Sequence, residues 1–431
     1  MKKHLYYVKR ILILLVTCIF SFINCSCNNN EYNIEIDRNN DIITIPVTFL
    51  IDQTSYRNNK SNEELVERFN EEYKGKYKVE VEWVSETVND YQNRMKILNV
   101  TDNLPAVITD VRFSPTFYQI LLDDNRLLNL RPYLEQDQEW KDTFEDNVLD
   151  GYIEKDGGIY LLPTCTNDFV YSGVFWNEEL FKKAGIEKFP ETWDEFWICC
   201  DKLLSNGITP VSLNTFGTAW ATMLFSTASI GDSEEGQKFM KTRLPESYNN
   251  EVIKNMVSNM KRLYQYTTND SISTDFDVAF EHFMNGDTAM IPNGYWMLDQ
   301  VDNNLDGKIR FSTFPNNVVI SSADMSGWAV TKGYSKEVQE GAVLFLKYRT
   351  KFTKETKQDF MTSDKNIIEA DYKKVIEGKP ITIPNYQFQW NSILQEEVLP
   401  AQIPQLVKEY ISEEEFIKNI DDSVKSFEAE R

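Results

Sequence analysis

Two large aromatic residues follow a short apolar run in the last third of the chain. The stretch FMNGDTAMIPNGYWML places Tyr295 and Trp296 directly after a Pro-Asn-Gly sequence. The apolar residues 289–291 are typical of a short buried strand, which the proline and the glycine would end. Gly294 also lets the backbone approach another group closely. Two roles fit the aromatic residues: packing in the core, or a flat apolar platform beside a ligand.

Histidine and cysteine are too scarce for the commonest catalytic and metal sites. The chain has 2 His and 6 Cys, and His282 is the only histidine beyond the N-terminal region. Ser-His-Asp and Cys-His sites need a histidine base, and zinc sites need several such ligands. Cys199 and Cys200 lie in the helical pattern TWDEFWICCDKLL, which predicts buried free thiols. We therefore expect no catalytic residue, no metal and no cofactor.

The elements around these residues alternate between strands and helices. IITIPVTFLI and YKVEVEWV predict strands, and residues 106–108 predict a third. A capping box at Ser61 and Glu64 opens one of the helices between them. This order favours an α/β fold with a mostly parallel sheet. Ligands gather at the carboxyl ends of such strands, so Asp110 and Arg112 lie where a ligand could reach them.

Further strands and helices follow in the second half of the chain. From Gly157 onward, GGIYLLP and VYSGVFWN have extended character, which suits a crossing between two lobes. Thr192 and Glu195 form a capping box at the start of the next helix. NGITPVSL predicts a strand before Trp220, and DFDVAFEHFMNG predicts an amphipathic helix. The α/β pattern therefore extends well beyond the first half of the chain.

The N-terminal residues have the pattern of an export signal. A basic start precedes the uncharged apolar residues 11–23, a run too short to span a bilayer. This order predicts a secretory signal over residues 1–26, followed by a polar tether over 27–40. The Asn-Cys-Ser-Cys sequence resembles a bacterial lipoprotein signal, with Cys27 as the acylated residue. Acylation of Cys25 and cleavage without lipid attachment are the alternatives.

The charge of the chain disfavours anionic partners. The 431 residues include 45 Lys and Arg against 67 Asp and Glu, a formal net charge of −22. Such a surface repels nucleic acid phosphates and anionic lipid headgroups. We therefore expect no nucleic acid partner, and membrane attachment only through the N-terminal lipid. The length is enough for two or three domains.

Five segments, in order, resemble the carbohydrate-binding, family 1 extracellular solute-binding lipoproteins of bacterial ABC transporters. They are the N-terminal signal, VFWNEELFKKAGI with FPETWDEF, NGITPVSL with the tryptophan after it, FMNGDTAMIPNGYW, and SGWAVTKGYSKEVQEGAVLFLKYRT. The resemblance implies an α/β, two-lobed, periplasmic-binding-protein-like fold of type II. Each lobe would be a mostly parallel sheet flanked by helices, with a ligand cleft at the hinge. The implied first lobe is 41–164 plus 293–347, and the second is 165–292 plus 348–431.

The resemblance also suggests which side chains meet a ligand. A sugar offers flat C–H faces that stack on indole rings, and hydroxyls that need donors and acceptors. The residues predicted to line the site are Trp296, Trp328, Asp110, Trp220, Arg112, Asp52 and Asn167, with Asp168 as the alternative to Asn167. Asp110 would accept hydrogen bonds from hydroxyls. Core packing remains the alternative for the tryptophans, and an ordinary surface position for the polar residues.

The predicted function is non-enzymatic capture of a mono- or oligosaccharide, which a lipid-anchored monomer delivers to the permease of an ABC transporter. Its predicted location is the outer face of the cytoplasmic membrane, extracellular or periplasmic. Three alternatives stay open. The same fold could bind a polyamine or a peptide, paired carboxylates could form a glycoside hydrolase, or the chain could be a surface interaction module without a small ligand.

Overall fold

The chain folds around two β-sheets, each with its own helices and hydrophobic core. The computed structural model describes residues 42–430 except 51–55, 85–87, 110–113, 145, 165, 167–169, 300–306, 323–326 and 362–366. The predicted signal, the tether and Cys27 lie outside the described residues. In the described part of the chain, no helix combines the length and apolar composition that a membrane span requires.

Eleven strands are described, most of them short. In chain order they are β1 (Ile43–Leu50), β2 (Tyr77–Val84), β3 (Val107–Ile108), β4 (Leu162–Pro163), β5 (Tyr171–Asn177), β6 (Thr209–Val211), β7 (Thr288–Gly294), β8 (Ile309–Ser312), β9 (Val318–Ser321), β10 (Gly327–Val330) and β11 (Ile381–Pro384). The first sheet has the order β2-β1-β3-β10-β4. The second has the order β11-β9-β5-β7-β6, with β8 paired to β5.

Helices surround both sheets. The described α-helices are α1 (Tyr56–Glu72), α2 (Val88–Val100), α3 (Pro115–Asp123), α4 (Arg131–Gln136), α5 (Gln138–Lys141), α6 (Asp146–Asp150), α7 (Glu178–Lys183), α8 (Trp193–Ser205), α9 (Trp220–Ala228), α10 (Glu234–Lys241), α11 (Glu251–Leu263), α12 (Phe276–Met284), α13 (Lys336–Met361), α14 (Ile367–Glu377), α15 (Tyr386–Gln389), α16 (Leu399–Val407) and α17 (Glu413–Glu430). Short 3₁₀ segments are Tyr264–Tyr266, Tyr295–Asp299 and Pro315–Asn317, and Leu394–Val398 is a π-helix. We call each sheet with its helices a lobe. The predicted two-lobed α/β fold is thus confirmed.

The chain passes between the lobes three times in the described topology. These crossings lie between β4 and β5, between β9 and β10, and between α13 and α14. The last assignment rests on Asp371 of α14, which accepts a 2.6 Å hydrogen bond from Arg310 of β8 in the second lobe. Each lobe is therefore built from separate stretches of the chain.

Strand direction is more mixed than the mostly parallel sheets that were predicted. β5 runs antiparallel to β7, β8 and β9, and β10 runs antiparallel to β3 and β4. β5 and β10 each begin directly after a crossing, whereas β4 and β9 each lead into one. A strand that leaves a crossing must run away from it, opposite to the strands that end there. We call the edge of each sheet at the crossings its crossing edge.

The lobe boundaries differ from the predicted ones in two places. Residues 309–321, predicted in the first lobe, contain β8 and β9, which pair with β5 of the second sheet. Residues 348–361, predicted in the second lobe, complete α13, and Phe352 packs in the first core. The chain adds two more strands to the second sheet before it crosses, and it crosses back only after α13 ends. The sequence pattern marks strands and helices but not which sheet a strand joins.

Several predicted elements are confirmed with small changes at their ends. β1, β2, β6 and α12 occupy the predicted stretches. Thr192 caps α8 by accepting a 3.2 Å hydrogen bond from the Glu195 amide. Two ends differ: α1 begins at Tyr56, upstream of the predicted start at Ser61, and β7 continues through Pro292 to Gly294. Pro292 pairs with Val174 in register, so the proline does not end the strand.

Alternation along β5 separates two hydrophobic cores in the second lobe. Val174 and Trp176 belong to one cluster, while Phe175 belongs to a cluster on the opposite face. Successive side chains of a strand point to opposite faces, so both faces of this sheet are covered. The first sheet has one large cluster, in which Phe69 of α1 meets Phe345 of α13 edge-on at 5.0 Å. Each sheet is therefore packed against helices through its own hydrophobic residues.

Candidate functional site

Two half-buried tryptophans meet at the crossing edge of the second sheet. Trp296 lies in the 3₁₀ segment that follows β7, and Trp220 is the first residue of α9. Their ring centroids are 5.9 Å apart with planes tilted by 47°. We call Trp220 and Trp296 the aromatic pair. The structure therefore brings together two of the three tryptophans that were predicted to bind a ligand.

The end of β7 holds both rings in place. The indole Nε1 of Trp220 donates a 3.1 Å hydrogen bond to Oδ1 of Asn293, which is 2% exposed. Gly294 lies directly beneath the Trp296 ring, and a Cβ at this position would overlap the ring. This close approach explains the glycine before the two aromatic residues. Any side chain at 294 would displace the indole.

The residue directly before Trp220 has a strained backbone conformation. Ala219 has a φ of 53° and a ψ of 41°, in the left-handed region that non-glycine residues avoid. The residue is fully buried, so packing around it maintains this conformation. Strained backbone of this kind clusters where a side chain must be held in a particular direction. The left-handed conformation of Ala219 thus sets the direction in which α9 begins at Trp220.

Tyr386 supports the aromatic pair from behind. Its ring centroid lies 6.4 Å from that of Trp220, and the side chain is fully buried. Its hydroxyl donates a 2.9 Å hydrogen bond to the carbonyl of Thr218, and burial raises its pKa. Trp390 packs against Tyr386 at 5.8 Å and is also buried. Tyr386 therefore packs behind Trp220, Trp390 packs behind Tyr386, and neither side chain offers an open surface.

Trp328 occupies a different environment in the first lobe. It is 3% exposed and packs against Phe49 at a centroid distance of 5.0 Å. The guanidinium carbon of Arg349 lies 4.1 Å from the ring centroid, a cation–π contact. Arg349 also donates hydrogen bonds of 3.2 Å to the carbonyls of Pro163 and Thr164. A ligand role for Trp328 stays a prediction, and in this structure core residues cover its ring.

Trp83 is an aromatic residue of the same edge that the sequence analysis did not select. It stacks on Phe49 at 5.2 Å with an interplanar angle of 28°, and it is half-buried. Phe49 and Trp83 are register partners near the ends of the parallel strands β1 and β2. We call Phe49, Trp83 and Trp328 the first aromatic group. The signal was present in the sequence: Trp83 nearly ends a predicted strand, where ligands gather.

One chain crossing connects the surroundings of the two sets of aromatics. Thr164, which accepts from Arg349, begins the stretch that ends at Val170, which packs against Tyr295 and Trp296. Six residues of extended chain span at most about 20 Å. The two ends of this crossing therefore lie within about 20 Å of each other, with Thr164 near the first aromatic group and Val170 beside the aromatic pair.

The predicted polar ligands fall in gaps of the described chain. Asp110, Arg112, Asp52 and Asn167 all lie outside the described residues. The strand that positions Asp110 is present as predicted, because β3 ends at Ile108. These four assignments stay predictions.

The lobes also contact each other away from the crossings. Arg243, between α10 and α11, donates two hydrogen bonds of 2.6 and 2.5 Å to the carboxylate of Glu154 in the first lobe. The hydroxyl of Tyr118 in α3 donates to the same carboxylate at 2.8 Å. The guanidinium carbon of Arg243 lies 5.3 Å from the centroid of the Tyr118 ring. The amide of Ser392 donates to the hydroxyl of Thr116 at 3.2 Å. These contacts hold the second lobe against α3.

The titratable residues are engaged elsewhere. Cys199 and Cys200 are buried and unpaired, as predicted, and burial raises the pKa of Cys199 to about 12. His282 lies in α12 with Nε2 2.9 Å from a carboxylate oxygen of Asp270. In the described part of the chain, no three His, Cys, Asp or Glu side chains converge as a metal site would require. Among the described residues, the side chains that hydrogen-bond beside the aromatic pair, such as Asn293 and Gln387, are neutral.

Comparison with known proteins gives matches to one class of protein. A family model described as bacterial extracellular solute-binding protein matches residues 64–387, more than half of the chain. A multiple sugar-binding protein of Streptococcus mutans is 26% identical over 208 residues, 44% of this chain and 47% of that protein. An uncharacterized ABC transporter extracellular-binding protein of Pyrococcus horikoshii is 26% identical over 126 residues, 28% of each chain. The chain thus spans about half the length of the first relative and less of the second.

Solved structures share the fold across nearly the whole chain. A chitin oligosaccharide binding protein superposes with a TM-score of 0.72 at 16% identity, covering 90% of this chain and 99% of that one. A Streptococcus pneumoniae solute-binding protein, solved in complex with the blood group A-trisaccharide, gives 0.71 at 18% identity, covering 89% and 100%. At these identities the likeness establishes the fold alone.

Proposed function

Because the chain belongs to the bacterial extracellular solute-binding proteins, as the match over residues 64–387 establishes, we propose that it binds a carbohydrate between its lobes. The ligand is a mono- or oligosaccharide, which the protein delivers to the permease of an ABC transporter. The protein acts as a monomer without catalysing a reaction. It is held at the outer face of the membrane by a lipid on Cys27, in an extracellular or periplasmic location.

The aromatic pair is the observation that carries this proposal. Trp220 and Trp296 are half-buried and held by Asn293 and Gly294 where β7 ends. A pre-positioned flat apolar surface suits the C–H face of a pyranose ring. Because the rings are already fixed, binding costs little side-chain entropy. This is the arrangement expected of a sugar platform.

The polar side chains next to the aromatic pair favour a neutral ligand. Asn293 contacts Trp220, and the amide of Gln387 donates a 2.6 Å hydrogen bond to the hydroxyl of Thr218. Amides and hydroxyls both donate and accept, as sugar hydroxyls do. Hydroxyl recognition therefore explains this edge better than cation recognition.

Delivery requires a change between open and closed lobes. Three crossings connect the lobes, so closure is a rotation about these segments. A sugar that contacts both lobes binds the closed arrangement more tightly and shifts the population toward it. The permease would then recognise the closed form. Ligand binding and recognition by the permease are in this way coupled.

Thermal unfolding against a carbohydrate panel tests the proposal. A ligand present at about one hundred times its dissociation constant stabilises the folded state by ~2.7 kcal/mol. We expect one carbohydrate class to raise the melting temperature and change tryptophan fluorescence. A well-folded protein that responds to no carbohydrate would contradict the proposal. A response to spermidine or peptides alone would favour that alternative, and release of reducing sugar would favour a hydrolase.

A further inference from the structure

Loop 212–219 carries an exposed phenylalanine at the same crossing edge as the aromatic pair. We propose that Phe216 forms an outer subsite, which makes the physiological ligand an oligosaccharide and sets the preference for chain length. This inference rests on the proposed function and adds to it. Trp220 and Trp296 bind the inner sugar rings, and Phe216 contacts a ring further along the ligand.

The topology places Phe216 at this edge. β6 and β7 are parallel, with Val211 and Met290 as register partners, so the loops that follow both strands leave the sheet on the same side. β6 ends the sheet order, and loop 212–219 leads directly into Trp220. Four extended residues span at most about 14 Å, which limits the distance from Phe216 to Trp220. A few linked pyranose rings cover such a distance.

Hydrogen bonds fix the backbone of the loop on both sides of Phe216. The Phe216 amide donates to the carbonyl of Thr274 at 3.0 Å, and its carbonyl accepts from Asn214 at 2.9 Å. The hydroxyl of Thr215 donates to the carbonyl of Ser271 at 2.9 Å. Thr215 and Asn214 are each 1% exposed. The loop backbone is therefore held in place, and loose packing of the loop does not explain the exposure of the Phe216 side chain.

Phe216 is exposed although the four residues before it in the chain are buried. Its side chain is 58% exposed, between the buried Thr215 and the turn at Gly217, where φ is 72°. This turn returns the chain to Thr218, whose carbonyl accepts from Tyr386 behind the aromatic pair. The same turn that leaves the phenylalanine ring open thus also holds the inner platform. Isolated exposed apolar residues are common on proteins, so the position at the edge carries the inference.

The expected signature is a loss of affinity that depends on ligand length. Aromatic contacts contribute about 0.5–1.5 kcal/mol beyond burial. We therefore expect Phe216→Ala to weaken binding of the longest bound sugar about 3- to 10-fold. Monosaccharide affinity should stay within about 2-fold of wild type, because the inner platform is unchanged. Phe216→Tyr keeps a flat ring and should retain the length preference.

Calorimetric titration of the purified protein with sugars of one to four units tests this inference. The probes are the malto-, cello-, xylo- and chito-oligosaccharide series. Tyr410→Ala, which removes an aromatic residue that is 69% exposed in the segment between α16 and α17, is the matched control. Equal melting temperatures for the variants without ligand establish that each is folded.

The outcomes separate this inference from the proposed function. Tighter wild-type binding of longer sugars, lost in Phe216→Ala and kept in Tyr410→Ala, supports the outer subsite. Unchanged affinities in Phe216→Ala, or an equal loss for monosaccharides and longer sugars, overturn it and leave the proposed function standing. Failure of the wild-type protein to bind any of the four series overturns this inference, and failure with every sugar of the wider carbohydrate panel overturns the proposed function as well.

Discussion

The aromatic pair and the first aromatic group lie at comparable edges of the two sheets, yet Trp328 differs from the two tryptophans of the pair in its burial. Trp328 is 3% exposed, whereas Trp220 and Trp296 are half-buried. In the sequence, each of these three tryptophans lies close to a predicted strand. Residue type and proximity to a crossing therefore do not by themselves make a binding platform.

The difference arises from where each tryptophan lies relative to its strand. Trp328 is the second residue of β10, which pairs with β3 on one side and β4 on the other. Its ring meets Phe49, and Arg349 of α13 covers it. Trp296 comes after the last residue of β7, beyond the hydrogen-bonded ladder. A side chain inside a central strand is buried by the layers on the sheet, while one beyond its end is not.

The largest expected effect is on stability, in the first lobe. Trp328→Ala should lower the free energy of unfolding by about 3–5 kcal/mol, because it empties a packed site and exposes Arg349 to a cavity. Urea denaturation measures this change. Sugar affinity of the remaining folded protein, measured by titration calorimetry, tests the ligand role predicted for Trp328. A Trp328→Ala protein with wild-type stability and no sugar binding would contradict the comparison.

The next effect is on affinity, in the second lobe. Trp296→Ala should weaken carbohydrate binding about 10- to 100-fold, as removal of a central aromatic contact does at other binding sites. Its free energy of unfolding should fall by less than that of Trp328→Ala, because the ring is only half-buried. Titration calorimetry and urea denaturation of both variants measure the two effects. Loss of stability without loss of affinity would make Trp296 a core residue.

Gly294→Ala sharpens the same test without removing an aromatic ring. The added Cβ would overlap the Trp296 indole and force it to move. We expect affinity to fall about 10-fold while the apolar area at the edge is retained. Gly333→Ala is the control, since a Cβ there meets no atom within 4 Å. Wild-type affinity in Gly294→Ala would mean that the position of the ring is unimportant.

A further prediction concerns the contact that holds the lobes together. Arg243 and Glu154 are 18% and 9% exposed, so each leaves a nearly buried charge when the other is removed. A double-mutant cycle with alanine at both positions should give a coupling energy of about 1.5–3 kcal/mol in the free energy of unfolding. Asp102 and Arg126, an exposed pair within the first lobe, should give about 0–1 kcal/mol. Equal coupling in the two pairs would show that the interlobe contact is not special.

The smallest expected effect is a pH dependence away from the aromatic pair. The hydrogen bond to the carboxylate of Asp270 raises the pKa of His282 above its ordinary value of 6.5, with a smaller contribution from Asp287 and against partial desolvation. Protonated His282 therefore stabilises the folded state below about pH 6.5, and this contribution is lost as the pH rises through the raised pKa. The stability difference between wild type and His282→Gln should shrink from about pH 5.5 to about pH 8.5. A constant difference, or a change in sugar affinity, would contradict this assignment.

Local chemistry made much of the fold predictable. The alternation in YKVEVEWV predicts β2, and the Thr192 cap predicts the start of α8, because both depend on residues close in sequence. The two-lobed arrangement came from the ordered resemblance. The place of β8 and β9 in the second sheet depends on pairing with β5, which lies far back in the chain. Sequence periodicity carries no signal for that choice.

The candidate site was predictable to a similar degree. The position of Trp296 behind a glycine follows from neighbouring residues, and the structure gives the reason for the glycine. The burial of Trp328 depends on Arg349, which α13 brings over the ring. Trp83 was passed over because its alternation with charged residues suggested an ordinary half-buried strand. Long-range packing decides which aromatic residues stay open, and the local pattern does not record it.

The three crossings also determine when the chain can fold. Pro163 of β4 pairs with Gly327 of β10, so the first sheet stays incomplete until most of the second sheet has left the ribosome. The second lobe in turn waits for β11 and the helices after it. Pairings between such distant segments carry a large loop-closure cost and slow the folding reaction. Neither sheet of this topology can therefore be completed until late in synthesis.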